Sequence, residues 1–247
     1  MVIIMAVLKT GNPRILRRHA TEIKKYRLLM KMIPVTLAVI TMILVIVYIS
    51  SALYIKYGSY TVRVNKYDSV QYALTLSETP DFFAPTARLN SKATQDITNI
   101  SINDLPMDLD SINGNHSGRN HLAYTYYLKN AGQNTVDCEY MLYIANATQE
   151  IDKAIRVRLY VNGKSVDYAR TRTDGKGAEP GTTEFLTESI IARKSISDYK
   201  PEEIVKFTVV IWIEGDDPDT VDSVIGGQFK VDMIINILKV SEESTAS

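Results

Sequence analysis

From Met32 to Ile55 the chain carries no charged residue. The 24 positions read MIPVTLAVITMILVIVYISSALYI. A helix needs about 20 apolar residues to cross the hydrocarbon core, at about 1.5 Å rise per residue. The run is long enough to span a bilayer with some tilt. It divides the sequence into a short head, residues 1–31, and a long body that begins near Ser59.

The formal net charge of zero conceals an asymmetry along the chain. Residues 1–31 hold eight basic residues (Lys9, Arg14, Arg17, Arg18, Lys24, Lys25, Arg27, Lys31) against one acid, Glu22. The rest holds 20 basic and 27 acidic residues. Basic residues close to a span stay cytoplasmic, and after the span only Lys56 precedes Arg63. The expectation is a single-pass plasma-membrane protein with its N-terminus inside and residues 59–240 extracytoplasmic. A basic stretch against a span also suits anionic headgroups, each charge worth about 1 kcal/mol. The lipid bilayer at 32–55, rather than nucleic acid, is the expected partner. Ser50-Ser51-Ala52 resembles a signal-peptidase site. The long basic region and an apolar run beyond the usual ~7–15 residues favour a retained signal anchor over cleavage.

Beyond Ser59 the hydrophobic pattern has period two, the mark of strands with one buried face. Tyr60, Val62 and Val64 alternate with polar residues; Val70, Tyr72, Leu74 and Leu76 follow the same rule, as do Val136, Cys138, Tyr140, Leu142 and Ile144. Arg156–Val161, Asn162-Gly163 and Lys164–Tyr168 read as a hairpin, because Asn-Gly supplies the two positive-φ positions of a type I′ turn. Val205–Ile213, with Trp212, is a continuous apolar run expected to be covered on both sides. Phe229–Leu238 is expected to be the last strand, and 241–247 a polar tail. Residues 148–155 and 184–193 have room for one or two helical turns each, and 78–120 reads as short strands or a functional loop. Many strands with turns between them indicate a mainly β fold, one β-sandwich of jelly-roll-like form after a single transmembrane helix. Cys138 has no partner cysteine, and a body of this length builds a core without disulfides.

The most distinctive polar patch follows the Trp strand. Glu214, Asp216, Asp217, Asp219 and Asp222 fall within nine positions. Calcium takes about six to eight oxygen ligands from such loops, so these five are the candidate metal ligands, with a solvated turn as the alternative. The spacing is not that of an EF-hand. Nor is that of Asp104, Asp108, Asp110 and Asn113, where Arg119 occupies the place of the bidentate Glu. His116 and His121 lie in the same region without a zinc-type ligand set. No Gly-x-Ser-x-Gly elbow or phosphate loop is present. Cys138, alternating with apolar neighbours, reads as a buried thiol. No catalytic or cofactor-binding residue is assigned.

Three features carry a family resemblance: the N-terminal span, the strand ending Tyr127-Leu-Lys-Asn-Ala-Gly132, and Trp212-Ile-Glu-Gly-Asp-Asp-Pro218 closed by Ile225-Gly-Gly-Gln-Phe-Lys230. Together they resemble uncharacterised membrane-anchored surface proteins of Gram-positive bacteria, similar in layout to camelysin and TasA-type proteins. The resemblance implies a jelly-roll-like domain outside the cell with a structural or matrix role. Camelysin's protease activity has no receiving motif here, and without a Leu-Pro-x-Thr-Gly signal the span must hold the protein at the surface. The function expected first is non-enzymatic: self-assembly, or binding of a surface protein or matrix component, with strand addition at a sheet edge as one route. The alternatives are a hydrolase using carboxylates of the 104–121 and 214–222 loops, and a calcium-dependent binding module.

Overall fold

The computed structural model of the chain describes residues 30, 32–49, 59–92 and 97–241. The basic head apart from Met30, the last part of the apolar run (50–55) and the tail 242–247 lie outside the described residues. The chain divides into two units, Met1–Lys56 and Tyr57–Ser247.

In the first unit, α1 (Met32–Ile49) is an uncharged helix of 18 residues, long and apolar enough to cross a membrane. Its length of about 27 Å follows from the helical rise. Its apolar side chains are exposed along the whole length. The two threonine hydroxyls are satisfied within the helix: Thr36 donates to the Ile33 carbonyl at 2.9 Å, and Thr41 to that of Leu37 at 2.9 Å. A helix in contact with lipid needs such internal partners.

The second unit is a β-sandwich. Its first strand, β1 (Tyr60–Val64), leads into the short helix α2 (Lys66–Tyr72). Val70 and Tyr72 were expected to continue the alternation into a strand; they belong to this helix instead. Asn65 accepts a hydrogen bond from the Tyr67 amide at 3.1 Å, which caps the helix start. Ala73, with φ of 54°, ends the helix. Strand pairing resumes at β2 (Leu74–Ser77) and β3 (Arg88–Asn90). Two 3-10 turns (102–104 and 109–111) precede β4 (Gly114–Asn115), β5 (His121–Asn130) and β6 (Thr135–Ala147). The one-turn helix α3 (Ile151–Ala154) then feeds β7 (Ile155–Val161) and β8 (Lys164–Ala169), which form the expected hairpin. Asn162 and Gly163 at its tip have φ of 47° and 81°. The expected helical turn at 184–193 is absent. Its place is taken by β9 (Thr183–Glu184), bends, and the start of β10 (Ile190–Tyr199). The last strands are β11 (Ile204–Ile213) and β12 (Phe229–Ser241).

One sheet has the order β10-β6-β12-β1-β3, the other β2-β5-β11-β7-β8-β9, with β4 beside β5. β1 runs parallel to β12, so the first and last strands of this unit lie side by side, Val62 against Met233. The first sheet turns Val62, Cys138, Tyr140, Leu142, Met233 and Ile235 inward; the second turns Leu122, Tyr124, Tyr126, Leu128, Phe207 and Val209 to meet them. Tyr60, Tyr124 and Tyr126 pack as rings and keep their polar ends paired. The Tyr60 and Tyr126 hydroxyls are 2.9 Å apart, and Tyr124 donates to Glu78 at 2.5 Å. Tyr126 stacks on Phe207 at 5.4 Å between centroids. Cys138 is fully buried, and burial, reinforced by Asp68 and Asp137, pushes its thiol up to about 12.

Candidate functional site

The second sheet is covered on its outer face as well. Ala123 of β5 with Val210 and Trp212 of β11 pack beneath Leu105 and Leu109, and Ile100 and Ile102 close the edge of this smaller cluster. The loop that supplies the cover meets the acidic loop. The Ile100 amide donates to the Ile213 carbonyl at 2.9 Å, and Ser101 donates to Asp216 at 2.8 Å. The contact to the acidic loop is made by residues 100–102, ahead of the 104–121 stretch, whose Asp110 pairs elsewhere, with Lys206. It lies over Trp212 and seals it: Glu214 is 2% exposed and accepts from the Trp212 indole N–H at 2.8 Å and from the Ile102 amide at 3.1 Å.

The other carboxylates of that loop diverge to separate protein donors. Asp217 is paired with Arg156 and accepts from the Asp219 amide at 2.7 Å. Asp219 accepts from the Thr173 amide at 3.0 Å. Asp222 begins a surface 3-10 turn and is exposed. Of the second acidic group, Asp110 pairs with Lys206 at 3.2 Å and Asn113 accepts from the Tyr127 hydroxyl at 2.6 Å. Among the described residues no three His, Cys, Asp or Glu side chains are grouped to hold a metal ion. His116 sets its ring between the Gly114 and Leu109 carbonyls, at 2.9 Å and 2.8 Å. Burial, with the neighbouring His116 second, holds His121 below the usual imidazole range.

Arg156 is the residue that reading the sequence missed. It alternates with Val157 in β7 as an outward side chain should, yet it is 1% exposed. Its guanidinium donates to Glu179 at 2.7 Å, to Asp217, and to the Ile155 carbonyl at 3.1 Å. One cation thus ties the start of β7 to the 174–182 loop and to the acidic loop. Its partners lie 23 and 61 positions away, so no local pattern could have revealed it.

The lateral side of the sandwich is different. β10 ends its sheet, with no described strand on its far edge. Register shifts between Ile190 and Ala192 and between Ile196 and Tyr199 bracket a regular stretch, Ala192–Ile196. Arg193, Lys194 and Ser195 are exposed there. Bulges and basic side chains are the usual guards of an edge strand against indiscriminate pairing.

No protein-family model and no curated protein matches the chain. Among solved structures, a β-glucosidase from Kluyveromyces marxianus in complex with glucose aligns over 65% of this chain and 15% of its own, at 13% identity and a TM-score of 0.24. A GH31 α-xylosidase from Xanthomonas citri aligns over 69% of this chain and 16% of its own, at 12% identity and a TM-score of 0.24. Superpositions this loose assign neither fold nor activity.

Proposed function

We propose that the protein is a single-pass surface protein whose β-sandwich lies outside the cytoplasm and works by association rather than by catalysis. The basic head supports the orientation, since positive charge stays on the cytoplasmic side. The observation that carries the functional reading is the free edge of β10. A strand end that is guarded yet keeps a regular middle can take a partner strand of suitable charge. Lys194, beside an Arg193 that is held to Glu139 at 3.7 Å, favours an acidic extended segment, from a neighbouring surface protein, a matrix component or another copy of the chain. The acidic loop supports the same reading from the other side. Its buried carboxylates serve structural donors, so the region resembling a hydrolytic or calcium site acts as a clasp over Trp212.

The test is a photo-crosslinking residue placed at Ser195 of the full chain in intact cells, with the same residue at Lys176 in the 174–182 loop as control. Protein crosslinks at 195 and none at 176 support the reading. Equal yields at both positions refute it. A cysteine introduced at Lys176 should react with a membrane-impermeant maleimide in intact cells; protection until lysis refutes the orientation.

A further inference from the structure

We infer that the open side of the sandwich holds a binding site for a small amphipathic carboxylate, an aliphatic chain ending in one negative charge. A cleft of about 360 Å³ lies between the β7–β8 hairpin and strands β6 and β10. That volume is in the range of small-molecule sites, about 300–1,000 Å³. Leu159 and Val161 of β7 and Val166 of β8 form apolar walls. Val166 is 41% exposed although it faces apolar neighbours. An aliphatic body laid against it recovers about 25 cal/mol per Å² of apolar surface covered.

Apart from Asn162, the polar side chains of the cleft are donors. Tyr140 and Tyr168 line it at 6% and 4% exposure. Neither hydroxyl hydrogen-bonds to another described residue, in contrast to Tyr60, Tyr124, Tyr126, Tyr127 and Tyr199, whose hydroxyls are all paired. Their rings are buried while the hydroxyls open onto the cleft, so both O–H groups are available to a ligand. Burial pushes Tyr140 up to about 12, and burial also raises Tyr168, so both remain O–H donors at neutral pH. Lys164 and Lys194, one from each sheet, stand at the rim, exposed and without an ion pair among the described residues. The remaining polar residue, Asn162, uses its side-chain oxygen to accept from the Lys206 amide at 2.8 Å. Two O–H donors and two ammonium groups around apolar walls call for an acceptor-rich anion on an apolar stem. A cation or a neutral sugar would leave the lysines unanswered.

This inference shares Lys194 with strand addition at β10 but does not rest on it: the cleft is an inter-sheet feature, and its other lining residues lie off that strand. The test is native mass spectrometry of the full chain in detergent, titrated with octanoate. A single adduct per chain is expected with octanoate and none with octylamine or acetate, of which the first carries the opposite charge and the second lacks the stem. Lys164→Gln with Lys194→Gln should lower adduct occupancy about tenfold, and Val166→Glu, which puts a like charge in the cleft, should abolish it. All three positions are exposed, so these variants retain the fold. Tyr140→Phe should reduce occupancy severalfold. Equal octanoate and octylamine adducts, an octanoate adduct unchanged in the double lysine variant, or a co-purified peptide in place of the small anion would each overturn the assignment.

Discussion

Replacing Asp217 with Asn is the sharpest perturbation of the clasp. The Arg156 and Asp217 side chains are each 1% exposed, whereas Glu179 is 28% exposed. Breaking a buried pair by removing one partner costs about 3–5 kcal/mol, because the remaining charge is left uncompensated in a poor solvent. Asn keeps an acceptor oxygen, and Glu179 still faces the guanidinium, so the low end applies, about 3 kcal/mol. For a unit of this size each kcal/mol moves the midpoint by about 2–4 °C, giving a fall of about 6–12 °C. Glu179→Gln, at the wetter partner, should cost under about 1 kcal/mol. Pairing Asp217→Leu with Arg156→Met removes both charges at once and should be milder than Asp217→Leu alone, since no buried charge is stranded. Unfolding of the full chain in detergent, by urea and by heat, reads all four variants through the single tryptophan, Trp212. A cost below 1 kcal/mol for Asp217→Asn, or a double variant worse than the single, would refute the account of Arg156 as a charge held by Asp217.

Three further outcomes follow from the same geometry. Stability should fall as pH rises above about 9: the unfolded chain ionises its thiol near the ordinary value of 9.0, whereas the folded chain holds Cys138 and Tyr140 to about 12, so the folded state binds more protons there. Urea midpoints at pH 7 and pH 10.5 measure this, and an unchanged midpoint refutes it. Gly163→Ala should cost about 1 kcal/mol, because φ of 81° at the hairpin tip strains any residue with a Cβ; equilibrium unfolding checks it. Calcium at millimolar concentration should leave the melting temperature of the full chain unchanged, since Glu214, Asp216, Asp217 and Asp219 already serve protein donors. A clear rise would show that the loop reorganises around the ion, as native-state binding must stabilise.

The strands that sequence periodicity located are those whose alternation is long and whose turns are chemically explicit. β6 runs through Val136–Ile144 as expected, and Asn162-Gly163 fixes the β7–β8 hairpin. The apolar run Val205–Ile213 is indeed central, with β5 on one side and β7 on the other. The errors are short elements. α2 spans seven residues, too few for a helical period to show against a coincidental alternation, although Asn65 with an acid at Asp68 was a legible start signal. At 184–193, where room for a helical turn was read, bends lead into β10 instead, which begins at Ile190. The candidate site was legible as composition and not as geometry. Five acids in nine positions say nothing of which will be buried. Burial is decided by Trp212 and Arg156, and their positions above the sheet depend on loops more than 20 residues distant.

These two residues also decide which surface is left to do work. The second sheet could have presented β5 and β11 to solvent or to a partner. Instead Leu105, Leu109 and Ile100 cover its outer face, Glu214 ties the cover to Trp212 through the Ile102 amide, and Asp217 pairs with Arg156. A face closed by buried hydrogen bonds and an ion pair is expensive to open, so association there would require several kcal/mol of disruption first. The side flanked by β8 and β10 carries no such closure. Among the described residues, β10 has no strand on its far edge, Lys164 and Lys194 have no ion pair, and Tyr140 and Tyr168 have no hydroxyl partner. Both proposals fall on that side for the same physical reason: recognition costs least where donors and apolar walls are already exposed and nothing has to be unmade.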